Sequence, residues 1–227
     1  MATIMHHHLK IALALPVFVV ASPALASDDE QYWQTLNVSV ALPDDFKLSN
    51  ETVLRSGNAR GFYEIENNFM IGKKIDKNIT AWLGYTFDPQ YSHGDFVIRE
   101  HRLRQQVSVD NFAKLGDVKL SGRLRLEQRW REGVSGTGWR LRPYVKASMP
   151  LVGKTSLSLS HESFVNLNTT RFQSVPGYDR MRNAVMLGVP VGKALSLDIG
   201  YLNQHGFKRG GPDSDDHVFN LVLNASF

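Results

Sequence analysis

Val118-Lys119-Leu120-Ser121-Gly122-Arg123-Leu124-Arg125-Leu126-Glu127-Gln128-Arg129-Trp130 is the stretch that decides how the chain folds. Apolar and polar residues alternate through it with a period of two, the signature of a strand and not of the ~3.6-residue helical repeat. One face carries Val118, Leu120, Leu124, Leu126 and Trp130, and the other Lys119, Ser121, Arg123, Arg125, Glu127 and Arg129. The next stretch repeats the pattern, with Trp139, Leu141, Pro143, Val145, Ala147 and Met149 against Arg140, Arg142, Tyr144, Lys146 and Ser148. Apolar faces recur at Leu157/Leu159, at Val185/Leu187/Val189, at Leu195/Leu197/Ile199/Tyr201 and at Phe219/Leu221/Leu223/Ala225/Phe227.

Length separates the architectures that could use such strands. Each span is roughly nine to fourteen residues, against ~9–11 for a tilted transmembrane strand and ~5–6 for an average soluble one. A lipocalin-like soluble barrel would turn the apolar face inward. Three observations favour lipid outside. Aromatic residues of the apolar face gather near segment ends, at Trp130, Trp139, Phe87, Tyr63, Phe219 and Phe227, as interfacial girdles do. The polar face carries both signs of charge, so that Glu100, Glu127, Glu162 and Asp198 can pair with Arg102, Arg104, Arg123, Arg125, Arg142 and Arg182 inside a narrow lumen. The chain closes on an alternating strand ending in Phe227, which resembles the signal that outer-membrane barrels present to their assembly machinery.

Connections alternate as well. Those at Val191-Gly192-Lys193, Val152-Gly153-Lys154, Lys114-Leu115-Gly116-Asp117 and Gly72 to Lys77 are short, as periplasmic turns are. Those at Gly206 to Asp216, Asn166 to Gly177, Arg131 to Gly138, Asp88 to Asp95 and Ser56 to Gly61 are longer and more polar, and are assigned to the outside. Counting segments gives about eleven, whereas single-chain bacterial barrels have even numbers, so the expectation is about ten to twelve strands. The fold class is therefore all-β: a transmembrane, antiparallel, up-and-down β-barrel with a charged lumen.

The start of the chain differs from this. Lys10 is the one charge before Asp28, Ile11 to Ala21 is apolar, and Ala24-Leu25-Ala26 matches a small-residue cleavage site, which together predict a secretory signal peptide over residues 1–26 and a barrel over 27–227. The apolar run falls short of the ~20 residues that a membrane-spanning helix needs. His6, His7 and His8 read as part of that leader or as a tag remnant. With no cysteine, disulfides, thiolate metal sites and a cysteine nucleophile are excluded. Taking Lys10 from the 26 basic residues leaves 25 against 22 acidic ones, a near balance, and no basic face argues for nucleic acid.

Several stretches resemble a family of bacterial outer-membrane proteins known only as a domain of unknown function, DUF2490. They are Gly84-Tyr85, Glu100-His101-Arg102 with Gln105-Gln106, Arg123-Leu124-Arg125-Leu126-Glu127-Gln128-Arg129, Arg140-Leu141-Arg142, Glu162 with Phe164 and Asn166-Leu167, Asn183, and Gly200-Tyr201. The resemblance implies a barrel in the outer membrane and carries no activity with it.

The strongest constellation of chemical groups is the polar face. A buried ion must be paired, which predicts a lumen network of Glu64, Glu66, Glu100, Arg102, Arg104, Arg123, Arg125, Glu127, Arg129, Arg140, Arg142, Glu162, Arg182 and Asp198 that plugs the barrel. The excess of basic groups on that face leaves a narrow anion-preferring channel as an alternative. Another alternative is catalytic. His161 and Ser163 are two apart, share the lipid face by the Leu157/Leu159 register, and are similar to the His and Ser of outer-membrane lipid A deacylases, although no third group to orient the His is readable. Asp213-Ser214-Asp215-Asp216-His217 could offer oxygen ligands to a divalent cation, yet reads more simply as a solvated acidic loop. An omptin-like protease would need Asp88, Asp198, His205 and His217 to meet at the rim. No phosphate-binding loop, HExxH or GxSxG motif occurs. The sequence thus predicts a monomeric structural or surface-interaction protein without cofactor or metal, whose partners are outer-membrane lipid, lipopolysaccharide and the barrel assembly machinery, and not nucleic acid.

Overall fold

The structure, a computed structural model, describes residues 27–227; the expected leader and its Ala24-Leu25-Ala26 site lie outside the described residues. Alternation of the kind quoted above continues through eleven strands. These are β1 (Ser27–Ala41), β2 (Phe46–Gly57), β3 (Gly61–Asp76), β4 (Ile79–Ser92), β5 (Asp95–Leu115), β6 (Val118–Arg131), β7 (Val134–Pro150), β8 (Ser156–Asn166), β9 (Gly177–Pro190), β10 (Leu195–Gly206) and β11 (Ser214–Ser226). Each pairs with its neighbour in sequence, and β1 closes the barrel on β11. No helix among the described residues is long and apolar enough to cross a membrane.

Eleven falls within the expected ten to twelve strands, and it is odd. Every hairpin reverses the chain, so with eleven strands the first and last run the same way, and the seam is parallel where a purely antiparallel barrel was expected. It runs without a slip from Ser27 opposite Ser214 to Ser39 opposite Ser226. Parallel pairing is slightly weaker per residue than antiparallel, and here the ladder is extended past the last strand residue. The Ala41 amide donates to the Phe227 carbonyl at 2.8 Å, and the Phe227 amide to Ser39 at 2.9 Å. The two ends of the described chain consequently lie at opposite rims.

The assignment of connections to two rims holds, but three of the supposed long ones are tight turns. The strands run on through Asp88 to Asp95, Arg131 to Gly138 and Ser56 to Gly61, leaving only residues 93–94, 132–133 and 58–60 outside them. Gly94 and Gly133 turn with φ of 92° and 70°, a region that favours glycine. Genuine loops remain at 167–176 and 207–213.

Inward positions are the ionic ones, as on β6, where Arg125, Glu127 and Arg129 are buried while Leu124 on the opposite face is 52% exposed. Leu83, Val107, Val145, Leu159, Val185, Phe219 and Leu223 are exposed likewise, forming an apolar outer belt. Phe87, Trp139, Phe219 and Phe227 lie on that belt as expected, but Tyr63 does not. A bulge opposite Arg55/Ser56 inserts Tyr63 as an extra residue, and this sends it inward beside Glu64, 3% exposed. Its hydroxyl donates to Gln31 at 2.6 Å and accepts from the Trp33 indole at 3.0 Å. At the short-turn rim the Trp82 ring lies over Gly72, where an added Cβ would come within 2.6 Å of it.

The parallel seam can be tested directly, because the chain has no native cysteine. The Ser39 and Ser226 hydroxyls are 3.1 Å apart on facing strands. Ser39→Cys with Ser226→Cys is expected to form an intramolecular disulfide on mild oxidation, seen as a reducible mobility shift, whereas Ser39→Cys with Leu221→Cys is not.

Candidate functional site

Period-two alternation delivers arginines and carboxylates to the lumen in rows, and register decides which of them meet. Glu127, fully buried on β6, holds three arginines: Arg140 at 2.6 Å, Arg142 at 2.7 Å and Arg104 at 3.3 Å. Glu66 on β3 takes Arg104 at 2.6 Å, Arg55 at 3.1 Å and Arg102 at 3.2 Å. Glu100 on β5 binds Arg102 at 2.6 Å, Arg131 at 2.7 Å and Arg129 at 2.8 Å. Glu162 on β8 joins Arg123 at 2.6 Å to Arg142 at 3.0 Å. Glu64 pairs with Arg55 at 2.6 Å, and Asp88 with Arg102. The bonds form one connected web from β2 to β8, several of them between charged donors and acceptors in the forked geometry that guanidinium favours.

Eleven of the fourteen residues expected in the network are in this web. Arg125, Arg182 and Asp198 face the lumen but pair with no opposite charge among the described residues. Arg125 donates to Gln106 at 2.8 Å, and Asp198 accepts from Asn224 at 3.1 Å. Arg182 donates to Gln204 at 2.8 Å and is sandwiched between the rings of Trp33 (4.6 Å) and Phe164 (4.8 Å). The alternation alone did not reveal Arg55, Asp88 or Arg131 as members of the web. Asp88 belongs because its β4 register sets it opposite Glu100, with Arg102 between the two carboxylates. Register of that kind has no signal in one sequence.

In the remaining arc of the lumen Trp33, Leu202, Val218 and Ala184 form a small apolar cluster, flanked by buried Gln31 and Gln204. Above the web lies a vestibule of 470 Å³ that opens at the loop-bearing rim. Arg60, Arg129, Arg131, Arg180, Arg182 and Lys208 line it, against Asp29, Glu64 and Asp216. Below lies a chamber of 270 Å³. Arg55, Glu66, Arg142 and Arg182 border both.

The remaining candidates separate. Asp88 is sealed in the web, Asp198 lies toward the short-turn rim, and His217 points outward to the Tyr201 hydroxyl at 2.6 Å. The groups that an omptin-like site would need therefore do not converge. The acidic run at 213–217 is not a loop: from Ser214 onward it is β11, and alternation sends its side chains to different faces. Asp215 meets His205 at 3.0 Å, while Asp216 accepts from Gln204. Glu64, Glu66 and Asp88 do bring carboxylate oxygens within 4.8 Å of one another, but the guanidiniums of Arg55 and Arg102 already neutralise them.

On the outer face, His161 and Ser163 meet as their spacing predicted. The Ser163 hydroxyl is 2.9 Å from His161 Nε2, and the third group that the sequence did not reveal is present: Asn183 Oδ1 on β9, 2.7 Å from His161 Nδ1. The Tyr178 hydroxyl lies 2.8 Å from Ser163 Oγ. An amide oxygen can only accept, so this arrangement suits the neutral imidazole tautomer with its proton on Nδ1 and its free lone pair on Nε2 toward Ser163.

Residues 30–215 match a family model described as a protein of unknown function, DUF2490. The chain belongs to this family. The DUF2490 barrel is also similar to an uncharacterised protein of Methylorubrum extorquens, 31% identical over 231 residues, a match covering 96% of this chain and 98% of that one. No solved structure matches it.

The web predicts unequal roles for its charges. Glu127→Gln takes from buried Arg140 its one carboxylate partner and from Arg142 and Arg104 one of two, and is expected to lower unfolding stability by about 3–5 kcal/mol, measured by urea titration of the refolded barrel. Glu132, in the exposed 132–133 turn, is held below the usual carboxylate range by its hydrogen bonds from Arg99. Glu132→Gln is expected to leave stability unchanged, because solvent already screens that pair.

Proposed function

We propose that this DUF2490 barrel resides in a bacterial outer membrane with its lumen closed by the ion-pair web, as a monomeric surface protein whose basic vestibule receives anions from outside. The observation that carries the reading is the segregation of faces. Leucine, valine and phenylalanine cover the outside of the wall, whereas arginine and glutamate fill the inside. Soluble monomers rarely expose contiguous apolar area beyond a few hundred Å², and hydrocarbon satisfies such a belt while a closed ladder leaves no backbone group unpaired. The loop-bearing rim would face outward and the tight turns inward, with Phe227 at the inner end of the seam, where assembly machinery could read it.

The web favours a plug over a pore. Arg55, Glu66, Arg142 and Arg182 stand between the two cavities, and moving an ion past them would require breaking buried pairs. The basic vestibule suits phosphate or carboxylate groups, such as those of lipopolysaccharide, because guanidiniums bind both in forked geometry.

Two measurements test this. In planar bilayers the refolded protein is expected to give no steady current; a stable anion-selective conductance would favour the channel alternative. Leu124→Arg, on the outer face of mid-β6, is expected to destabilise the barrel in lipid vesicles by about 2–4 kcal/mol. A change near zero would mean that this face meets water.

A further inference from the structure

We infer that Ser163, His161 and Asn183 form an outward-facing serine hydrolase site that cleaves long-chain acyl esters of membrane lipid, an inference that rests on the membrane placement proposed above. Polar side chains on an apolar belt need an explanation. Elsewhere on this face they close on themselves: Asn67 donates to Thr52 at 2.8 Å and to Asn50 at 3.3 Å, and His101 and His217 each bond a tyrosine hydroxyl. Only at His161, among the described residues, does an outward imidazole have an acceptor on Nδ1 and a serine hydroxyl on Nε2. That is the order in which a base activates a nucleophile and a third group fixes the base.

Depth and shape agree with the chemistry. Ser163 lies three residues before the end of β8 at Asn166. At ~3.3 Å per residue and a tilt of ~45°, it sits about 7 Å below the end of β8. The ester groups of a lipid lie at that level, between headgroup and hydrocarbon. From His161 and Asn183 a groove of 500 Å³ runs along the wall past Leu159, Ala147, Val145 and Val185. It leads away from the rim toward mid-wall, where an acyl chain would extend.

In the reaction, Ser163 Oγ attacks the ester carbonyl carbon as its proton passes to His161 Nε2. Asn183, a positioning residue, holds the imidazole through Nδ1. Tyr178, within 2.8 Å of Ser163 Oγ, is placed to donate a hydrogen bond to the oxyanion. Collapse of the tetrahedral adduct breaks the bond to the alkoxy oxygen, which leaves with the proton from His161, and the acyl group remains on Ser163. Water then attacks the acyl-serine, giving its proton to His161, which returns it to Ser163 as the fatty acid departs. The sum is ester plus water to acid plus alcohol.

The test uses the full chain expressed to the membrane fraction and purified in detergent, with folding judged by heat-modifiable gel mobility. A fluorophosphonate bearing a long alkyl chain is expected to label the wild type at Ser163, and neither Ser163→Ala nor His161→Ala. Mixed micelles of phosphatidylethanolamine and micelles of lipid A are the two substrate arms. Release of fatty acid in either arm supports the inference and identifies the source of the ester. His161→Ala is expected to slow that release by about 10²–10⁴-fold. Asn183→Ala is expected to lower kcat with KM unchanged, and Asn183→Asp, which keeps an acceptor oxygen, to restore it. A folded barrel in the outer-membrane fraction that neither reacts with the probe nor releases fatty acid in either arm overturns this inference and leaves the membrane placement standing. A protein soluble without detergent overturns both.

Discussion

Ion pairing in the enclosed lumen is the constraint on which the rest of the structure depends. A strand with an apolar outer face turns every second residue inward, and here many of those residues are charged along β5, β6 and β7. Enclosed charges are tolerable only in compensating pairs. Glu66, Glu100 and Glu127 meet this demand by each taking three guanidiniums drawn from two strands. Each carboxylate therefore acts as an inter-strand tie, and a slip of one residue in any strand from β2 to β8 would turn its charges onto the apolar outer face and strand their partners.

The web stops short of the seam, and the wall changes character there. On β1, β10 and β11 the inward residues include the apolar Trp33, Leu202 and Val218 beside polar Gln31 and Gln204, so the parallel closure is held by the backbone ladder, an apolar cluster and small amide pairs such as Asn37 with Asn224 at 3.1 Å. The two regimes are joined by stacking rather than by charge. Arg55 lies 4.3 Å from the Trp33 ring, and Arg182 is held between Trp33 and Phe164. Guanidinium can serve both regimes because it is at once a flat surface and a forked donor.

This division explains what could be read in the sequence. Val118 to Trp130 displays its faces openly because apolar and polar residues alternate there except at Gly122 and Gln128, and the inward placement of Glu127 or Arg142 follows from period two alone. Tyr63 could not be placed that way, since a bulge shifts the parity of everything beyond it. Asn183 as the partner of His161 was equally hidden. It lies opposite His161 only through the β8 to β9 register, after a loop whose length no local pattern fixes. The even-number rule misled in the same manner: strand parity is a property of how the ends meet, not of any segment. Local periodicity thus reports which face a residue takes, while register, which decides partners, is set by the closed wall as a whole.

The lumen and the outer relay are coupled by that register. Glu162 lies between His161 and Ser163 and is clamped inward by Arg123 and Arg142. Arg182 lies beside Asn183 and is wedged inward between two aromatic rings. Alternation then leaves His161, Ser163 and Asn183 no direction but outward, with their backbones fixed by ties on the opposite face. A catalytic group performs best when its supporting shell allows it little freedom, and a β-wall supplies this in an unusual way: the shell of the outward residues is the buried ionic web one residue away along the same strands. On this view the web does more than seal the lumen. It sets the strand register and so holds the outward Ser163 hydroxyl and His161 imidazole at 2.9 Å.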